Sequence, residues 1–127
     1  AVRDINAAID LAAERVDFGG GSALVGLAGT VTTITAHALG LETYDPERIH
    51  LSELSSDQVL AACESLVHMT REERGALGFM HPGRVDVIGA GALIWHEVVR
   101  RLAGLGVDRV ITSEHDILDG IALSVAD

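Results

Sequence analysis

The sequence contains no lysine; its nine basic residues are all arginine and stand against 19 acidic ones, for a net charge of −10. That balance excludes sequence-independent nucleic-acid binding, which needs Lys and Arg to neutralise phosphates. It also disfavours an anionic membrane surface. Only one cysteine is present, Cys63, so no internal disulfide can form, which points to a reducing, cytoplasmic compartment. Cys63 falls among Val59, Leu60, Leu66 and Val67 at helical spacing. It reads as a small core hydrophobe, with no activating neighbour that would make it a nucleophile. No apolar run approaches the length of a membrane span, and no signal-peptide pattern opens the chain. Aromatics make up only 3%, so Ala, Val, Leu and Ile must fill the core. Proline is scarce at 2 and glycine abundant at 14, which suits tight turns alternating with helices and strands. A chain of 127 residues fits one domain, residues 1–127, with a core that needs no disulfide or metal.

Hydrophobic periodicity supplies the elements. Val2, Ile5, Ile9, Ala12 and Val16 form one stripe of an amphipathic first helix, ended by Gly19-Gly20-Gly21-Ser22. Residues 23–27 read as a short buried strand, and Thr30–Leu39 has helical length despite its β-branched run. Tyr44-Asp45-Pro46-Glu47 is a turn, and residues 49–54 alternate like an edge strand. Ser55…Gln58 and Thr70…Glu73 are two capping boxes, opening helices to about Met69 and Leu77. His81-Pro82-Gly83-Arg84 is a turn. Val87–Leu105 is a long helix with Ile88, Ala92, Trp95, Val99 and Leu102 on one face. Arg109–Thr112 is a strand, and Ser113 or Asp116 caps a last helix carrying Ile117, Leu118, Ile121 and Val125. The pattern predicts an α/β fold with a mixed sheet flanked by helices. Two or three strands leave sheet edges unpaired, which suggests missing strands.

Candidate chemistry centres on Gly26-Leu27-Ala28-Gly29-Thr30. Glycines permit close backbone approach, and a helix N-terminus favours an anion. Thr30, Thr32 and Thr33 add hydroxyls. The same residues also suit a tight strand–helix turn with no ligand. No Gly-Lys-Ser/Thr follows, so this is not a Walker A loop. Ser113-Glu114-His115-Asp116 follows the last strand, where open α/β sheets bind ligands; equally, it caps a helix. The six histidines show no paired metal-ligand spacing. Arg84 contacts an anion or, the favoured reading, is simply solvated.

Three stretches together resemble the exopolyphosphatase / guanosine pentaphosphate phosphatase (Ppx/GppA) family. They are Leu24–Thr33, "LVGLAGTVTT"; Tyr44–His50 with the following helix and "MTREER"; and "HPGRVDVIGAGALI" with "ITSEHDILDGI". The resemblance covers nearly the whole chain. It implies the C-terminal lobe of a two-lobe, ribonuclease-H-like protein of the actin-like ATPase superfamily. Such enzymes remove a terminal phosphate from polyphosphate or guanosine pentaphosphate with magnesium. The catalytic glutamate is implied to lie in an N-terminal lobe, so no catalytic residue is assigned here and the lobe alone is expected to be inactive. Only Gly26, Gly29 and Thr30 carry over as ligand-binding residues. Asp17–Ser22 superficially matches the family's Asp-x-Gly-Gly-Gly-Ser loop but follows the helix that it should precede. It is read as coincidence or as a junction replacing excised chain. The expected partners are the N-terminal lobe and a second copy of the chain. The rival reading is a non-catalytic module of the same fold that binds a nucleotide or a partner.

Overall fold

The computed structural model describes residues 1–115 and Ser124. The last helix expected from the sequence lies outside the described residues. Helix α1 is Val2–Ala13, followed by a 3₁₀ turn over Phe18–Gly20, strand β1 (Leu24–Leu27) and helix α2 (Gly29–Ala38). Then come α3 (Pro46–Ile49), β2 (Glu53–Ser55), α4 (Ser56–His68) and α5 (Arg71–Gly75). A second 3₁₀ turn, Pro82–Arg84, leads into α6 (Ile88–Ala103) and β3 (Arg109–Ser113).

Both capping boxes form. The Gln58 amide donates to Ser55 Oγ at 3.2 Å, while the Ser55 amide donates to Gln58 Oε1 at 2.9 Å. Thr70 and Glu73 repeat the reciprocal arrangement. The edge strand expected over residues 49–54 is shorter. Asp45 caps a helical turn, accepting from the amides of Glu47 and Arg48, so that Ile49 ends a helix and is fully buried. Pro46 at the first helical position favours that outcome over a strand.

The sheet has the order β1-β3-β2, with β1 parallel to β3 and β2 antiparallel to it. Leu24, Val110 and Leu54 lie in one cross-strand row. Val110, Leu54, Gly26 and Thr112 face the core. The next row, Val25, Ile111 and Glu53, faces the other way, and Val25 and Leu27 are 57% and 49% exposed. Among the described residues both outer strands have an open edge.

Helices α2, α4 and α6 cover the buried face around Ile34, Cys63, Leu66, Ile88, Ala92 and Val99. The threonine run in α2 is helical because its hydroxyls turn back on the helix. Thr35 Oγ1 donates to the Val31 carbonyl at 2.9 Å, leaving Thr112 to donate across to Thr35 Oγ1 at 2.7 Å. That buried pair ties α2 to the central strand.

Candidate phosphate pocket

Because β1 and β3 run parallel, their carboxyl ends lie at the same end of the sheet, with Leu27 beside Ser113. Open α/β sheets place ligands at such ends. The chain leaves β1 through Ala28, which adopts φ 76°, ψ 172°, a conformation that costs a non-glycine residue about 1–3 kcal/mol. This turn sends the chain straight into α2. The Ala28 carbonyl accepts from the Thr32 amide at 3.1 Å, and no side chain caps the helix. The amides of the first turn are therefore left for an outside acceptor.

Gly26, Gly29 and Thr30 have different surroundings. Gly26 is buried, and a Cβ there would come within 2.7 Å of Trp95 and Val31, so this glycine admits the indole. Thr30 packs on Gly91 of α6; a Cβ on Gly91 would lie 2.6 Å from its methyl group. Gly29 faces the cavity, and a Cβ on it would overlap the Arg84 guanidinium. The hydroxyls of Thr32 and Thr33 both donate to the Gly29 carbonyl, at 3.2 and 2.7 Å. Their protons are thus committed to the helix rather than to a ligand.

Arg84 departs from the solvated reading. It is half-buried, lies over Gly29 and lines a cavity of about 710 Å³. It ends the 3₁₀ turn that His81 caps, with Nδ1 accepting from the Gly83 amide at 3.0 Å. Five other arginines are spent: Arg71 on Asp86, Arg100 on Glu97, Arg101 on Asp10, Arg109 on Glu53 and Arg74 on the carbonyls of Leu66 and Val67; Arg3, Arg15 and Arg48 are exposed. Among the described residues the Arg84 guanidinium makes no hydrogen bond or ion pair. A planar, permanently charged fork above the uncapped amides of a helix N-terminus has the chemistry to receive an oxyanion.

Across the cavity stands Tyr44. Its hydroxyl donates to Glu114 Oε1 at 2.6 Å, and the Glu114 amide donates to His50 Nδ1 at 3.1 Å. The His50 ring meets His115 edge-on, with centroids 4.7 Å apart. Burial, and next the bond to Glu114, push the Tyr44 phenol above its ordinary value, so it stays protonated across neutral pH. The tetrad after β3 thus serves partly as a clamp on Tyr44; its Asp116 lies outside the described residues. The sequence offers an anion contact for Arg84 only as the disfavoured reading and gives no sign of Tyr44, although both fall within stretches that carry the family resemblance. Cys63 is buried, and burial, followed by the Glu64 charge, pushes its thiol up to about 12. Among the described residues no three His, Cys, Asp or Glu side chains cluster to hold a metal.

The described residues thus form an α/β lobe with a cavity at the carboxyl ends of its parallel strands. The chain belongs to the Ppx/GppA phosphatase family, whose model matches residues 2–127. It is 52% identical to exopolyphosphatase 2 of Mycobacterium tuberculosis over 103 residues, which is 80% of this chain and 32% of that protein. It is 35% identical to a bifunctional 3-dehydroquinate synthase/phosphatase of Fusobacterium nucleatum, over 79% of this chain and 14% of that protein. The crystal structure of an exopolyphosphatase-like protein superposes with a TM-score of 0.92 at 38% identity, over 98% of this chain and 40% of that one. An Aquifex aeolicus Ppx/GppA structure shares the fold, with a TM-score of 0.79 at 24% identity over 98% of this chain and 39% of that one. The fold is that of the actin-like ATPase superfamily. The chain spans about a third of the relative from Mycobacterium tuberculosis and two fifths of these two solved structures. Among the described residues no helix is long and apolar enough to cross a membrane.

Proposed function

We propose that this chain is the C-terminal wall of a cleft phosphatase that removes the terminal phosphate from polyphosphate or guanosine pentaphosphate. The observation that carries this reading is the Arg84 guanidinium, half-buried above the first turn of α2 and without a counterion among the described residues. In phosphoryl transfer a protein contributes mainly positioning and charge neutralisation. Arg84 would hold a phosphate through its two outer nitrogens, and the Gly29 and Thr30 amides would bind a further oxygen. Gly26 acts on the same site indirectly, by letting Trp95 support the turn.

The remaining chemistry belongs to the rest of the enzyme. A glutamate in the N-terminal lobe would activate the attacking water. Magnesium would supply charge neutralisation, but the described residues offer no cluster to hold it, so its ligands are proposed to come from the other lobe. A cytoplasmic location accords with the lone, buried cysteine. Self-association through the open strand edges is part of the same proposal, and a monomer at all concentrations in sedimentation would remove that part.

The test is phosphate release from long-chain polyphosphate and from guanosine pentaphosphate, by this chain alone and mixed with a matching N-terminal lobe. Activity is expected only in the mixture, and Arg84→Gln should lower it by about a hundredfold, the scale of losing one charge-stabilising donor. Robust release by the chain alone would overturn the split-site reading. A mixture that associates without turnover would favour a non-catalytic binding module.

A further inference from the structure

One residue after β3 fastens the Tyr44 side of the cavity. Glu114 is gripped at two points by the segment that runs from Tyr44 to His50. Its carboxylate accepts from the Tyr44 hydroxyl at 2.6 Å, and its backbone amide donates to His50 Nδ1 at 3.1 Å. The His50 end of this staple has a firm base. The His50 amide donates to the Pro46 carbonyl at 2.8 Å, and the next amide, of Leu51, donates to the Thr112 carbonyl of β3 at 2.7 Å. Leu51 takes φ 60°, a left-handed conformation that persists in a leucine only where its surroundings impose it. The Tyr44 end is the looser one: its ring is exposed.

The two grips respond differently to protons. A backbone N–H can only donate, so His50 Nδ1 must be unprotonated and the ring neutral. Protonation would set one N–H against another and break that grip. Histidine is the side chain that changes charge between about pH 5 and 8. The imidazolium would also compete with the Tyr44 hydroxyl for the Glu114 carboxylate. His115 meets the His50 ring edge-on at 4.7 Å, so a charge on both rings would drive them apart. The other titratable groups on the elements about His50, among the described residues, are Asp45, Glu47 and Arg48 at α3 and Glu53 of β2. Asp45 is engaged by the Glu47 and Arg48 amides, and Glu53 by Arg109.

We propose that His50 is a positioning residue for the cavity rim: neutral, it holds Glu114 and through it Tyr44, and protonated, it lets both go. A ligand meets a fixed wall at neutral pH and a loosened one in mild acid. The inference rests on the hydrogen bonds of the rim and stands whatever ligand the cavity takes.

The experiment is a magnetic-resonance titration of the chain from about pH 8 to about pH 5. It follows the His50 ring protons, the Glu114 amide and the ring of Tyr44, which is the only tyrosine present. All three should move together, and Glu114 amide exchange, corrected for its intrinsic pH dependence, should quicken about fivefold in acid, the scale of one net hydrogen bond. His50→Asn places an amide oxygen where Nδ1 stood, and should keep the rim held across the whole range. His50→Ala removes the acceptor and should leave Tyr44 and Glu114 in the acid state at every pH. His115→Asn should retain the transition. Three results would overturn the proposal: a Tyr44 ring that stays put while His50 titrates, a transition that survives His50→Asn, or a rim already released in His50→Asn at neutral pH.

Discussion

Helix α6 is packed on two sides in two different ways. Toward α4 the interface is dry: Val59, Cys63 and Leu66 meet Ile88, Ala92 and Val99, all nearly inaccessible. Toward α1 it is polar. Buried Glu97 accepts from Asn6 Nδ2 at 3.0 Å and from Arg100 at 2.8 Å. Arg101 bridges to Asn6 Oδ1 at 3.0 Å and to Asp10 at 2.7 Å. Beside this network runs an apolar groove of about 430 Å³ lined by Ile5, Ile9, Phe18, Leu24 and Ile94. Dispersion and apolar burial hold the first interface; directional bonds hold the second. The dry side should therefore set global stability. The wet side should open locally at lower free energy.

The most disruptive way to test the contrast is to hollow the dry side. Leu66 is fully buried, and Leu66→Ala should cost about 3 kcal/mol, lowering the melting midpoint by roughly 10 °C. Cys63 gives a second readout from the same interface. Its thiol, pushed up to about 12, reacts only when the α4–α6 interface opens, so the variant should speed thiol labelling. An unchanged labelling rate would mean that Cys63 is reached by some other opening.

The polar side should yield less. Burial alone would raise the Glu97 carboxyl, but its bonds to Arg100 and Asn6 outweigh that and hold it below the ordinary carboxylate range. A depressed folded value means the stabilisation is complete above the ordinary value and lost as pH falls through the folded one. Glu97→Ala should cost about 2 kcal/mol at pH 7, with the loss of hydrogen-exchange protection confined to α1. At acid pH the variant and the parent should converge. A gap that persists at pH 2 would show that Glu97 acts through packing rather than charge.

Capping sharpens the same contrast on a smaller scale. Ser55 starts α4, which carries the dry core, whereas Thr70 starts α5, which buries no residue. Ser55→Ala should cost about 1 kcal/mol of global stability. Thr70→Ala, with the same motif lost, should cost less and fray only α5. Equal costs in denaturant unfolding would show that α5 is more tightly coupled to the core than its exposure implies.

These capping boxes were legible in the sequence because their logic is local, spanning four residues. So were the 3.6-residue stripes of α1, α4 and α6 and the β1–α2 glycine turn. The stretch from Ile49 was read as a strand because alternation was counted without Asp45-Pro46, which start a helical turn there. The site was half legible. Glycines marked the loop, but which of them meets a ligand depends on what packs behind each: Trp95 behind Gly26 and Arg84 over Gly29, both more than 50 positions away in sequence. Pairings of that range leave no periodicity to read. Tyr44 and Arg84 each sit in a turn, where a solvated side chain is the ordinary outcome, so Tyr44 draws no notice and the anion contact of Arg84 stands only as the disfavoured reading.

The smallest expected effect on stability is also the most telling about the pocket. A half-buried guanidinium with no partner among the described residues gains no ion pair from the fold and loses hydration by being where it is. Arg84→Gln should therefore change stability by no more than about 0.5 kcal/mol, even though it removes the one arginine that lines the cavity among the described residues. A residue placed for structure behaves in the opposite way, as Glu97 should. If the variant unfolded several degrees earlier, Arg84 would be a structural strut over Gly29 and the anion pocket would lose its main support. If stability holds while anion affinity falls, the unpaired charge is kept for a ligand that the fold itself does not supply.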